Sequence, residues 1–67
     1  MKRLLVNGTE REFADDATLA DVLAELETTR QGVAVALDGV VVRRGRWDGV
    51  VPDPGARLDV LTAVQGG

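Results

Sequence analysis

Thr18-Leu19-Ala20-Asp21-Val22-Leu23-Ala24-Glu25-Leu26 decides the fold, because it is the one stretch of the chain that reads as a helix. Thr18 offers an N-cap oxygen, and Asp21, three residues on, can complete a capping box and oppose the helix dipole. Leu19, Val22, Leu23 and Leu26 fall at i, i+3, i+4 and i+7. Four aliphatic side chains therefore share one stripe, while Asp21, Glu25 and Glu27 face water. Thr28 and Thr29 weaken the pattern, and Gly32 is placed to stop it in the left-handed conformation. The spacing predicts a helix of about three turns.

On the N-terminal side, Leu4 and Val6 alternate with Arg3 and Leu5, and Asn7-Gly8 follows at once, a strong hairpin signal because both turn residues tolerate positive φ. The return strand is Thr9 to Phe13, with Glu10 and Glu12 facing out and Phe13 in the core; the charge of Arg11 on the inner side marks an edge strand. On the C-terminal side, Val33-Ala34-Val35-Ala36-Leu37 is too short for a helix and rich in valine, so it reads as a strand buried on both sides or nearly so. Asp38-Gly39 makes a second hairpin turn into Val40, Val41 and Val42. Arg44 to Gly49 reads as an irregular connection, with Trp47 laid over the edge of the core and Arg43, Arg44 and Arg46 as a basic cluster in a solvated loop. Val50 and Val51 read as a brief strand before the turn at Pro52, Asp53, Pro54 and Gly55. The last strand runs from Ala56 to about Val64. Strand alternation sets Leu61 and Ala63 opposite Leu58 and Val60, which makes the pair a candidate docking surface.

A single helix cannot cover both faces of a sheet. The order hairpin, helix, hairpin, connection, strand therefore implies an α+β roll, with a mixed sheet of four to five strands and the helix packed on one face. A right-handed crossover lays the last strand beside the first, in parallel. That is the β-grasp, or ubiquitin-like, architecture. Residues 1–63 are expected to form the domain and residues 64–67 a flexible tail.

The composition narrows the chemistry. At 67 residues, 45% hydrophobic and 28% charged, the chain is an ordinary small globular domain, with a core that supplies only about 3–5 kcal/mol. It contains no Cys, His, Tyr or Ser, so it offers no thiolate, imidazole or triad nucleophile and no usual zinc site. A net charge of -3 and only two aromatic residues, Phe13 and Trp47, argue against nucleic acid as a partner. Met1, Lys2 and Arg3 before Leu4, Leu5 and Val6 imitate the opening of a signal peptide, but Asn7 and Gly8 end the apolar run too early. No run is long enough to span a membrane, and the expected location is the cytoplasm. What remains is the end of the chain, Val64-Gln65-Gly66-Gly67, where two glycines precede the carboxylate. It reads either as an ordinary frayed terminus or as the reactive group of a protein that has no other.

The combination of Asn7 after the first strand, Thr18-Leu19 with Leu23 in the helix, Val33-Ala34-Val35-Ala36 before the second hairpin, Val41 and Arg43 ahead of Arg46-Trp47, and Ala63-Val64-Gln65-Gly66-Gly67 at the end resembles the ThiS family, the sulfur carriers of bacterial thiamine biosynthesis. The resemblance covers essentially the whole chain. It departs from the family at Asp38, where relatives often have Asn, at Val42, where Pro is common, and at Ala56, where a Gly-Asp pair usually precedes the last strand.

The resemblance implies that the Gly67 carboxylate is adenylated with ATP by a ubiquitin-activating-like adenylyltransferase and converted to a thiocarboxylate by a persulfide sulfur donor. Thiazole synthase then takes the sulfur for the thiazole ring of thiamine. Val64, Gln65 and Gly66 would be the tail that enters the partners' active sites, spanning with Gly67 about 13–14 Å when extended. The chain itself would bind no cofactor and carry no catalytic residue, acting as a co-substrate. Two other roles share this fold and ending: the small subunit of molybdopterin synthase, and a covalent protein modifier joined through Gly67 to a lysine. An inert interaction module is a fourth reading.

Overall fold

The structure, a computed structural model, describes residues 1–26 and 32–62. Among these residues a hairpin, an α-helix, a second hairpin, a 3-10 helix and a last strand follow one another. β1 (Lys2–Val6) and β2 (Thr9–Phe13) are antiparallel, with Val6 opposite Thr9 and Lys2 opposite Phe13. β3 (Val33–Leu37) and β4 (Val40–Val42) form the second hairpin. The turn residues take left-handed conformations in both, at φ 49° and 84° for Asn7 and Gly8 and at 49° and 86° for Asp38 and Gly39. Positive φ at both positions matches the right-handed twist of the flanking strands, as the Asn-Gly and Asp-Gly pairs predict.

α1 (Leu19–Glu25) begins where the sequence places it. Thr18 Oγ1 accepts from the Asp21 N–H at 3.1 Å and Asp21 Oδ2 accepts from the Thr18 N–H at 3.0 Å, completing the capping box. The helix is shorter than expected: it has seven residues and its C-cap is Leu26, about two turns at 3.6 residues each. Gly32 does have positive φ, 68°, but it stands just before β3 and does not cap α1. Thr28 and Thr29 lie outside the described residues.

β5 (Arg57–Thr62) completes a five-stranded mixed sheet in the order β2-β1-β5-β3-β4. It runs parallel to β1, with Leu5 beside Arg57 and Val6 beside Leu58, and antiparallel to β3 from Val33–Thr62 to Leu37–Leu58. The last strand thus lies at the centre of the sheet, between the two hairpins. This is the β-grasp topology.

The helix covers one face. Leu4, Val6, Phe13, Val35 and Leu58 point from the sheet toward Leu19, Val22 and Leu23. Trp47 is wholly buried within this core, where the sequence reading had it lying over the edge. The segment that carries it, Arg44–Gly49, is a 3-10 helix and not an irregular loop. Trp47 Nε1 donates to the Val42 carbonyl at 2.9 Å, which satisfies the indole's polar handle inside the core. The expected strand at Val50 and Val51 does not form. The Val50 carbonyl instead accepts the Leu19 N–H at 2.9 Å, so it serves an otherwise unpaired donor in the first turn of α1.

Lys2 is buried, with only 3% of its surface exposed. Its Nζ donates to the carbonyls of Ala17 at 3.0 Å and Pro52 at 2.7 Å. One side chain at the start of β1 therefore ties the segment entering α1 to the segment entering β5.

Candidate functional site

Gly67, Gly66, Gln65, Val64 and Ala63 lie outside the described residues, so the site is built from the strand that leads to them. β5 is held on both sides. β3 pairs with it as far as Thr62. On the other side the β1 register ends at Val6 beside Leu58, and the turn residue Asn7 takes over. The Asn7 N–H donates to the Leu58 carbonyl at 2.9 Å. Its side chain then accepts from the Val60 N–H at 2.8 Å and donates to the Val60 carbonyl at 3.1 Å. At the start of β5, Asp38 makes a similar two-point contact: its N–H donates to the Arg57 carbonyl at 2.8 Å, and its Oδ1 accepts from the Arg57 N–H at 2.9 Å.

Paired residues across a sheet share a face, and successive residues alternate. Arg57, Asp59 and Leu61 therefore project from β5 away from the helix, with Arg3 and Leu5 of β1, Glu10 and Glu12 of β2, Ala34 and Ala36 of β3, and Val41 of β4. This face has two halves. Toward β2 it is charged: Arg3 lies 3.6 Å from Glu12 and 4.0 Å from Glu10, and Arg57 lies 3.4 Å from Asp59. These pairs are largely solvated and contribute little to stability. Toward β4 it is apolar, with Leu61 67% and Val41 73% exposed and Ala34 exposed beside them.

The expected exposure of Leu61 opposite Leu58 is thus observed. The expectation that β3 is buried on both sides is not: Ala34 is exposed and Ala36 half-buried, because one helix covers one face only. Arg43, Arg44 and Arg46 are exposed as expected, although Arg44 and Arg46 belong to the 3-10 helix and not to a loop. Sequence reasoning assigned Asn7 to the turn and missed its second role. The available signal was the choice of Asn over Asp at the first turn position, since only the amide carries both a donor and an acceptor.

No group of three or more acidic, His or Cys side chains able to hold a metal ion occurs among the described residues, and no helix among them is long and apolar enough to cross a membrane. A model of the ThiS family matches residues 4–67, a span that includes the last two glycines. Among solved structures, the chain is similar to the crystal structure of a thiamine biosynthesis protein (ThiS) from Geobacter metallireducens. The TM-score is 0.81 at 26% sequence identity, over 97% of this chain and 99% of that one. No curated protein matches the chain in sequence comparison.

Proposed function

Since the chain belongs to the ThiS family, we propose that it is a sulfur carrier of thiamine biosynthesis, loaded at the Gly67 carboxylate and acting as a co-substrate of partner enzymes. The observation that carries this reading is the family match itself, which spans the domain and continues through Gly67. The chemistry supports it, since a chain with no Cys, His, Ser or Tyr must borrow its catalysis and hold its sulfur elsewhere.

A carboxylate is a poor electrophile. An adenylyltransferase of the ubiquitin-activating type would join it to AMP from ATP, releasing pyrophosphate. The terminal sulfur of a persulfide donor then attacks the acyl carbon and expels AMP. A thiol takes the donor's inner sulfur as a disulfide, and the thiocarboxylate is left on Gly67. Sulfur in place of one oxygen makes a softer nucleophile without losing the anion, suited to attack in a thiazole synthase. Gly66 and Gly67 lack Cβ and let the backbone approach partner groups closely, with Val64 and Gln65 completing the reach. The apolar half of the open face, Leu61 with Val41 and Ala34, is the docking surface for the adenylyltransferase in this reading; Ala63, the other residue expected there, lies outside the described residues.

Intact-protein mass spectrometry tests the reading. After incubation with the adenylyltransferase, ATP and a persulfide donor, the chain should gain the mass difference between sulfur and oxygen, localised to Gly67. Deleting Gly67 should abolish both the gain and thiazole formation; persistence of either refutes the proposal. A stable adduct on lysines of other proteins would point to a covalent modifier, and rescue of molybdopterin formation to the sister pathway.

A further inference from the structure

Asn7 continues a ladder that its own backbone has to leave. In a parallel pair, a residue whose N–H donates to one carbonyl of the neighbouring strand accepts, through its own C=O, from the N–H two residues further along that strand. The Asn7 N–H donates to Leu58, so an uninterrupted ladder would have the Asn7 carbonyl accept from Val60 and the N–H of Thr9 donate back to Val60. The chain cannot do this, because at φ 49° it is already turning toward β2. The side-chain amide replaces both groups: Oδ1 accepts from the Val60 N–H at 2.8 Å and Nδ2 donates to the Val60 carbonyl at 3.1 Å.

We propose that Asn7 is a positioning residue, whose side-chain amide acts as one more peptide group of β1 and fixes the course of β5 at Val60, ahead of Thr62, for the docked loading enzyme. The inference rests on the reading of Gly67 as the loading site. Its physical basis is where the contact falls. Past Leu58, β5 keeps β3 on one side through Thr62, while the β1 register has ended on the other. A strand paired along one edge can twist or splay about that edge. A two-point contact at Val60 on the opposite edge, two residues before Thr62, restrains that motion. Asp38 supplies the natural contrast, since it grips Arg57 through one donor and one acceptor at the far end of the same strand. If grip alone mattered, the two would be equivalent; if direction at the exit matters, only Asn7 counts.

Asn7→Gly preserves the tolerance for positive φ and removes the amide, Asn7→Asp keeps the acceptor and loses the donor, and Asp38→Gly is the matched change at the other end. Backbone amide exchange followed by NMR reads the clamp directly, whatever the chain's function. In Asn7→Gly the Val60 amide should exchange roughly fivefold faster or more, the factor corresponding to one hydrogen bond of typical net strength, with the Arg57 amide unchanged. Single-turnover loading by the adenylyltransferase reads the consequence. Asn7→Gly should lower the loading rate at saturation about tenfold with KM unchanged, inside the ~100-fold that a misplacement of about 1 Å can cost. Asn7→Asp should fall between it and the wild type, and Asp38→Gly should load at the wild-type rate.

Equal losses in the Asn7→Gly and Asp38→Gly chains would reduce Asn7 to a structural contact and overturn the inference, as would an unchanged loading rate in a folded Asn7→Gly chain. Failure of the wild-type chain to be loaded at all would instead refute the sulfur-carrier reading, leaving the Val60 exchange result to decide the clamp alone.

Discussion

The helix-covered face of the sheet and the open face alternate residue by residue along the same strands, yet one is packed and the other stands in water. On β5, Leu58 is 1% exposed and Leu61 67%. The covered face packs Leu4, Val6, Phe13, Val35 and Leu58 beneath α1 and Trp47. The open face puts charged pairs at one end and Leu61, Ala34 and Val41 at the other. In a chain whose core supplies only about 3–5 kcal/mol, leaving an aliphatic patch in water forgoes stability that burial would give. Under the proposed docking role, such a patch would be a surface kept for a partner. Stability should therefore depend on the first face and association on the second.

The largest effect is expected at Leu58. Leu58→Ala removes a fully buried side chain from near the start of the central strand, at a cost of about 2–5 kcal/mol, comparable to the whole stability of a domain this size. The variant should be mostly unfolded at 25 °C by circular dichroism, and a cooperative urea transition near the wild-type midpoint would contradict this account of the core. Next comes Lys2→Met, which keeps an apolar stem but removes the donor shared by the Ala17 and Pro52 carbonyls. Leaving buried acceptors without a partner costs about 1–3 kcal/mol, measurable as a lower urea midpoint at unchanged slope. Thr18→Ala deletes half of the capping box and should cost about 1 kcal/mol. Asp21→Ala tests the other half, and non-additivity in the double variant would measure their coupling.

Much of the covered face was legible from residues alone, because local chemistry specifies it. Asn7-Gly8 and Asp38-Gly39 need positive φ and obtain it, Thr18 and Asp21 form the cap that their spacing allows, and one helical stripe forces a one-sided sheet with β5 beside β1. What escaped depends on distant partners. Lys2 is the kind of residue normally found at the surface, and its burial is set by carbonyls 15 and 50 positions away. Trp47 reads as a cover until Val42 is seen to receive its N–H. The run Val33 to Leu37 is apolar at every position, so periodicity could not reveal that Ala34 faces solvent. The length of α1 was overestimated because the apolar stripe reaches Leu26, which is the cap itself. Of the candidate site, Leu61 was correctly placed on the exposed side, the role of the Asn7 amide was missed, and residues 63–67 rest on the family match.

Leu61→Glu should have the smallest effect on stability and separates the two faces most clearly. The side chain is already in water, so the folding free energy should change by less than about 0.5 kcal/mol, with the urea midpoint near that of the wild type. Its effect on association should be much larger. Burying a leucine at an interface is worth about 1.5–3 kcal/mol, so replacing it with a charge should raise KM for the chain in adenylyltransferase loading about ten- to a hundredfold. The saturated rate should persist, because docking is weakened while the path from β5 to Gly67 is not. Asn7→Gly should do the reverse, lowering the rate at saturation and sparing KM. Stability measured alongside both keeps the comparison fair: a folded Leu61→Glu chain with an unchanged KM would remove the open face from the docking surface, while leaving Gly67 as the loading site untouched.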